Sequence, residues 1–475
     1  MAGAAPGSRS RDGGTLPGPS WWLAGRPAGK PAARCNRCRA CAVSADMRTT
    51  ARNAGLGAAT LAVVLAAAGC GTLGGGPQQP ARTTRVIRGV AAHEPAADPR
   101  PYGAADTAFG LDLLGAWCRA DPRANLVLSP SSLASGLGMA YLGARNGTAT
   151  AMANVLHLPS ASGGPLAAGL QARSAALRGL SGPGVTVTAS DQVWADPGLP
   201  LQAGYLNSVA TGYHAGVAQA PLLKSPGQAA QQINRAIATA TQGQIPQLLP
   251  PGSLQGIGWV LTDALYLNAA WATPFQASES TTGLFTTAAG QRVSVTFMNG
   301  GGYRTATAAG WTAVSLPYRG GKLAMEALLP AAGTGNCVMP HAAALAALTT
   351  GLKGAGQAGQ LAWRDITWPR VDLSTHASLR FLLTGLGLGV AFSPAADFSG
   401  MSPEVCCIGL VEHAATLQVG EKGTVASAGT AVGMVPSSGS AVPPVTFDRP
   451  YLLLVTATAT GEPLFAARVA NPATQ

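Results

Sequence analysis

Cys35, Cys38 and Cys41 are each separated by two residues, a spacing that lets thiolates converge on one metal ion or cluster. No fourth ligand stands near them. Their surroundings are rich in Gly, Pro, Ala and Arg and have no helical or strand period, so this segment should not pack. His93-Glu94 begins like a zinc-binding helix, but Pro95 follows at once and would break it. The six His are scattered. There is no Gly-x-Ser-x-Gly nucleophile elbow, no His-Glu-x-x-His and no phosphate-binding Gly loop. The chain is therefore not expected to be an enzyme, and no catalytic residue, metal or cofactor is assigned.

The 475 residues are 47% hydrophobic and only 11% charged, which suits a sizeable core. The net charge of +11 suggests nucleic acid until its location is considered: residues 1–53 carry +7 of it, leaving +4 for the rest. No basic stripe with interleaved aromatics follows, so no nucleic-acid partner is expected.

Residues 1–46 form a disordered leader that is untranslated if Met47 is the start. Met47 to Arg52 is short and basic, and an apolar run from Ala54 to Ala68 follows it. A charged start, an apolar stretch and small residues before a break describe a secretory signal over 47–69. The run is too short for a membrane span of about 20 residues. Ala67-Ala68-Gly69-Cys70 resembles a bacterial lipobox, in which Cys70 would take the lipid, although Ala67 stands where Leu is commoner. An ordinary signal peptide with a chance Cys is the alternative. Residues 70–101 read as a flexible tether. The expected location is the extracellular face of the cell membrane, lipid-anchored or secreted. Cys118, Cys337, Cys406 and Cys407 could pair in an oxidising compartment, with a connectivity that sequence does not give. Cys118, in a helical pattern, is expected as a buried free thiol.

Residues 102–475 read as one domain. Leu111–Trp117, Leu133–Leu142 and Gln228–Thr241 have helical spacing. Val185–Trp194, Gly258–Leu267, Arg292–Met298, Leu323–Leu329, Thr416–Val419 and Tyr451–Thr456 read as strands. Helices dominate early and strands late, which predicts an α+β fold with large antiparallel sheets.

Several segments, in chain order, resemble the serpin family. They are Asn125-Leu-Val-Leu-Ser129-Pro130-Ser-Ser132, Ile233-Asn234, Thr241-Gln-Gly243, Leu265-Tyr266 running to Trp271, and Leu316-Pro317-Tyr318. Trp368-Pro369-Arg370, Ala391-Phe392-Ser393 and Phe447-Asp448-Arg449-Pro450-Tyr451 complete the set, with Tyr451 where the family prefers Phe. The resemblance implies three β-sheets, about nine helices and an exposed reactive-centre loop. It also implies a suicide substrate. The protease cleaves the loop and forms its acyl-enzyme, and the loop then inserts into the main sheet with the protease covalently attached.

On that resemblance Glu421 to Ala431 is the hinge of the loop. Gly423 serves as a pivot, and Thr424, Ala426, Ala428 and Thr430 share one strand face. None is charged, and a buried charge there would cost several kcal/mol. Counting on from Thr424 puts the reactive bond at Ser437-Ser438, preceded by Pro436, with Met434 or Val435 as alternatives. No charged side chain lies between Lys422 and Asp448, so elastase-, chymotrypsin- or subtilisin-like targets are expected over trypsin-like ones. Ser132, Asp263 and His413 would form the shutter under the sheet, with Asp263 where the family usually has Asn. A simple hydrogen bond or a pH-dependent contact would both suit the Asp–His pair. Trp271 and Glu421 would mark the entry point, with Arg370 as partner of Glu421. The expected partners are serine proteases and, through Cys70, a membrane; a monomer is expected. The alternatives are a non-inhibitory serpin-fold binding lipoprotein, and a surface protein that resembles serpins only in shape.

Overall fold

The computed structural model describes residues 84–354, 362–424 and 443–474. The leader, the signal segment and Cys70 lie outside them.

In chain order, β1 (Val86–Ile87) is followed by α1 (Arg100–Ala120) and β2 (Leu126–Leu128). Helices α2 (Pro130–Tyr141), α3 (Asn146–Val155) and α4 (Gly163–Arg178) come next. β3 (Val185–Ala189), β4 (Gln192–Ala195), α5 (Ala203–Tyr213), β5 (Val217–Gln219) and α6 (Pro226–Ala240) lead to the long β6 (Trp259–Ala270). A strand-rich stretch follows: β7 (Thr281–Thr286), β8 (Arg292–Ala308), β9 (Trp311–Pro317) and β10 (Leu323–Pro330). After α7 (Ala342–Leu352) come β11 (Ala362–Pro369), β12 (Val371–Ser378) and the short α8 (Arg380–Leu383). The chain closes with β13 (Val411–Gly420), β14 (Gly423–Thr424), β15 (Val445–Thr446), β16 (Tyr451–Ala457) and β17 (Pro463–Val469).

Local chemistry explains the key elements. Ser129 caps α2 by accepting from the Ser132 backbone N–H, and Pro130 occupies the first turn, where its missing donor costs nothing. All 12 residues of α2 are buried, as its nearly uninterrupted small and apolar sequence requires. In α6, Ala229, Ala230, Ile233 and Ile237 form the one buried face. β16 and β17 are buried along their whole lengths, the pattern of strands covered on both faces.

The strands hydrogen-bond into two sheets. The first has eight strands in the order β1-β5-β4-β6-β14-β13-β12, with β3 also on β6. The second has nine, in the order β15-β11-β8-β9-β10-β16-β17-β2, with β7 on β8. The third sheet implied by the sequence is fused to the second. The 17-residue β8 carries β7 along its first residues, β11 along its middle and β9 at its far end, so no break separates them. The predicted Val185–Trp194 strand is interrupted at Ser190-Asp191, between β3 and β4.

Two expectations are corrected. Residues 84–99 are not tether: β1 pairs with β5, and the backbone N–H groups of Val90, Ala92 and Glu94 donate to Asn207, Thr211 and Gln171. A segment whose donors are met by side chains of α4 and α5 gains nothing by staying in water. Cys118 is not a free thiol but is disulfide-bonded to Cys337, joining the end of α1 to the loop after β10 across 219 residues of sequence. The helical pattern revealed its burial, but not that a distant loop reaches it.

One core fills the space between the helices and the sheets, a second lies between the sheets, and a third lies beneath α6. A buried ion cluster stitches the first together. Arg173 of α4, 2% exposed, contacts Asp106 of α1 at 2.5 Å and Glu462 at 2.8 Å. It also donates to Ser135 Oγ at 2.9 Å and to the Ser131 carbonyl at 2.7 Å, both on α2. Burial pushes the Asp106 carboxyl up while the guanidinium pulls it down.

Arg173→Ala would leave two buried carboxyls facing each other without a cation, a loss of about 3–5 kcal/mol. Urea unfolding should show a lower midpoint at an unchanged slope. A midpoint equal to wild type would refute the role assigned to this cluster.

Candidate functional site

β6 and β13 lie side by side in the middle of the first sheet and run parallel. They pair directly only over Leu261–Ala264 with Val411–Ala414. Beyond Ala264 they diverge, and β14 fills the gap antiparallel to both. Thr424 faces Val419 and Ala269, and Gly423 faces Gly420 and Ala270. Two residues just after the β13 turn have thus folded back into the sheet.

This slot is tight. Gly423 has φ +146°, and a Cβ there would meet the Ala269 carbonyl oxygen at 2.1 Å. Only glycine fits without displacing backbone. Thr424 is 1% exposed, and its hydroxyl lies 2.6 Å from the Tyr318 hydroxyl. Tyr318 stacks on Trp271 with ring centroids 4.4 Å apart. Trp271, fully buried, holds the turn twice: its indole N–H donates to the Gly420 carbonyl at 2.9 Å and its backbone N–H to the Lys422 carbonyl at 3.0 Å.

Glu421 anchors the turn from outside. Its Oε1 accepts from Arg370 Nε and Ser280 Oγ, each at 2.8 Å. Burial raises the Glu421 carboxyl, but the bonds from Arg370 and Ser280 outweigh it and hold the group below the usual carboxylate range. The folded pKa is depressed, so this anchor contributes above the ordinary glutamate value and is lost as pH falls through the folded one.

Below the slot, His413 Nδ1 meets Asp263 Oδ1 at 3.0 Å, and His413 Nε2 accepts from the Ser129 backbone N–H at 3.4 Å. His413 is wholly buried and Asp263 is 4% exposed. The side chain of Ser132 turns elsewhere and donates to Asp191 Oδ1.

The structure thus brings Trp271, Arg370, Glu421, Gly423 and Thr424 together at the slot, and Asp263 and His413 beneath it. Of the three shutter residues, Asp263 and His413 contact each other, while the Ser132 hydroxyl bonds Asp191. Ala426, Ala428, Thr430, Met434, Val435, Pro436, Ser437 and Ser438 lie outside the described residues. Three residues were missed as site members: Tyr318, Ser280 and Asp191. Asp191 carried no distinguishing signal, since one acid inside a run patterned as strand reads as a solvent-facing position. Tyr318 stood within a family-like segment but had no role attached to it. Among the described residues, no group of three or more His, Cys, Asp or Glu is placed to hold a metal ion.

A family model described as Serpin (serine protease inhibitor) matches residues 104–472. The leukocyte elastase inhibitor of Bos taurus is 28% identical over 393 residues, covering 78% of this chain and 99% of its own length. A putative serpin-Z12 of Oryza sativa subsp. japonica is 33% identical over 300 residues, covering 59% of this chain and 70% of its own. The native structure of tengpin, a thermophilic serpin, superposes with a TM-score of 0.67 at 22% identity, covering 82% of this chain and 99% of that one.

Gly423→Ala should push β14 out of the slot. Hydrogen exchange at the Trp271 amide, now bonded to the Lys422 carbonyl, should quicken at least about tenfold for ~1.4 kcal/mol of strain. Unchanged exchange there would mean that the glycine is not what admits the turn.

Proposed function

The chain belongs to the serpin family, and from that premise we propose that it inhibits serine proteases as a suicide substrate whose cleaved loop inserts between β6 and β13. The family points to serine protease inhibition; loop insertion and the choice of targets go beyond it. The carrying observation is β14, a two-residue strand between β6 and β13 that an inserting loop would extend. The residues that follow suit the extension, because Thr424, Ala426, Ala428 and Thr430 are small and uncharged and, at the two-residue period of a strand, would fall on one face of an added one.

The bait region favours proteases with apolar or small specificity pockets. Nothing charged lies between Lys422 and Asp448, so a trypsin-like pocket has no Arg or Lys to pair with. The bond counted from Thr424 is Ser437-Ser438. The bovine relative, named as an inhibitor of leukocyte elastase, supports elastase-like targets. We further propose that the chain is held on the outer face of a membrane by a lipid on Cys70.

A second reading keeps the fold and drops inhibition, leaving a binding protein. It is favoured by a cavity of about 830 Å³ against the second sheet, lined in part by Trp271, Tyr303, Arg304, Glu326, Lys353 and Trp363. Burial pushes the Glu326 carboxyl up to about 7, with Lys353 pulling the other way. Such a group could meet the polar end of an apolar ligand.

Incubation with pancreatic elastase and with subtilisin, followed by denaturing gels, separates the two readings. A covalent complex of summed mass is expected. Clean loop cleavage with active protease remaining would sink the trap and favour the binder. Thr424→Arg should turn inhibitor into substrate, since a charge in that buried slot costs several kcal/mol; undiminished complex would contradict the hinge assignment. For the anchor, Cys70→Ser should move the chain from the detergent to the aqueous phase on Triton X-114 partition. A chain found in the aqueous phase with or without the substitution carries no lipid there.

A further inference from the structure

Asp191 lies at the break between β3 and β4, and the strand register puts it opposite Asp263. Gln192 faces Thr262, and the Ser190 N–H donates to the Ala264 carbonyl at 2.8 Å, so Asp191 and Asp263 are the residues between. On the other side of β6, Asp263 faces His413 of β13. The three residues therefore form one row, from the β3–β4 break across β6 to β13. The row crosses the short stretch where β6 and β13 pair directly. A strand that inserts fully between them must break it.

The hydrogen bonds of this row leave one conspicuous gap. His413 Nε2 accepts from Ser129, so Nδ1 is the donor to Asp263 Oδ1. Asp191 Oδ1 accepts from Ser132. Asp263 Oδ2 is buried with no hydrogen-bond partner. Two ionised carboxylates directly opposite each other on adjacent strands repel, and an unmet buried acceptor costs about 1–3 kcal/mol. One proton relieves both. Placed on Asp191, it removes the like charge and makes that carboxyl a donor to the unmet oxygen.

We propose that Asp191 is a positioning residue for loop entry: a proton held on Asp191, opposite Asp263, keeps the β6–β13 seam closed, and its loss to solvent loosens the seam. The consequence for loop entry rests on the insertion mechanism proposed above; the proton does not. The groups around Asp191 agree. Burial pushes its carboxyl well above the usual range, and the charge of Asp263 adds to this. Ser132 and Ser135 of α2 and Arg173 of α4 pull the other way without winning. Tyr213 of α5 also faces it, and His413 completes the row from β13. Because the folded pKa is raised, the contribution of the row is complete below the ordinary aspartate value of about 4. It is lost as pH rises through the raised folded value.

The test uses a blocked synthetic peptide spanning residues 424–435, which contains no titratable side chain. Its annealing into the intact chain is followed on native gels from pH 5.5 to 9. For wild type the rate should climb at least about tenfold, the factor that corresponds to 1.4 kcal/mol. Asp191→Asn offers an amide donor to Asp263 and still accepts from Ser132, so it should stay slow at every pH. Asp263→Asn removes the same repulsion and should also flatten the profile. A flat wild-type profile, or an Asp191→Asn profile parallel to it, overturns the proposal. If the peptide anneals to no variant, the insertion reading fails and the unfolding temperature decides on the proton. The stability gap favouring Asp191→Asn over wild type should then widen with rising pH, and a constant gap overturns the proposal.

Discussion

Two parallel strands at the centre of the first sheet share a short paired stretch, Leu261–Ala264 with Val411–Ala414, and then part. Parallel pairing is slightly weaker per residue than antiparallel pairing, and here little of it spans the seam. A segment threaded between the strands can run antiparallel to both, as Gly423 and Thr424 already do. Each residue added extends two antiparallel ladders in the widened gap. On the insertion proposed above, such a sheet would tend to open, so long as the cost of separating the lower row is met.

The rest of the molecule is arranged to confine that tendency to one place. The Arg173 cluster fastens α1, α2 and α4 to the turn before β17. The Cys118–Cys337 disulfide holds the far end of α1. β16 and β17 are buried throughout and cannot shift without exposing the core. Against that fixed frame, the seam is closed above by the Trp271–Tyr318 stack and the Glu421 anchor. Below, it is closed by the row from Asp191 to His413.

The parts of the fold governed by local pattern were legible in the sequence. The buried α2, the amphipathic α6 and the apolar β16 each follow from side-chain periodicity, and α+β followed from their order. What escaped depends on partners distant in sequence. Cys118 gave no hint of Cys337, because a helical pattern reports burial and not what a remote loop brings. The polar-looking residues 84–99 read as tether since their ordering comes from Asn207, Thr211 and Gln171, all more than 70 residues away. The group at the slot was legible only through family resemblance. Composition alone leaves Glu421 to Ala431 indistinguishable from a linker. Asp191 was hidden for a simpler reason: one acid in a strand normally marks a solvent-facing position, and only the register shows what stands opposite it.

The short edge strand β1 settles how the molecule would stand on a surface. β1 pairs with β5, β5 with β4, and β4 with the first residues of β6, Trp259 to Thr262. The loop stem meets the last two residues of β6, Ala269 and Ala270. A 12-residue strand is roughly 40 Å long at about 3.3 Å per residue, so chain entry and loop stem lie at opposite poles of the sheet. Any support gripping the chain ahead of Thr84 would hold it foot-down, with Gly423 and Thr424 at the end of the sheet farthest from that support.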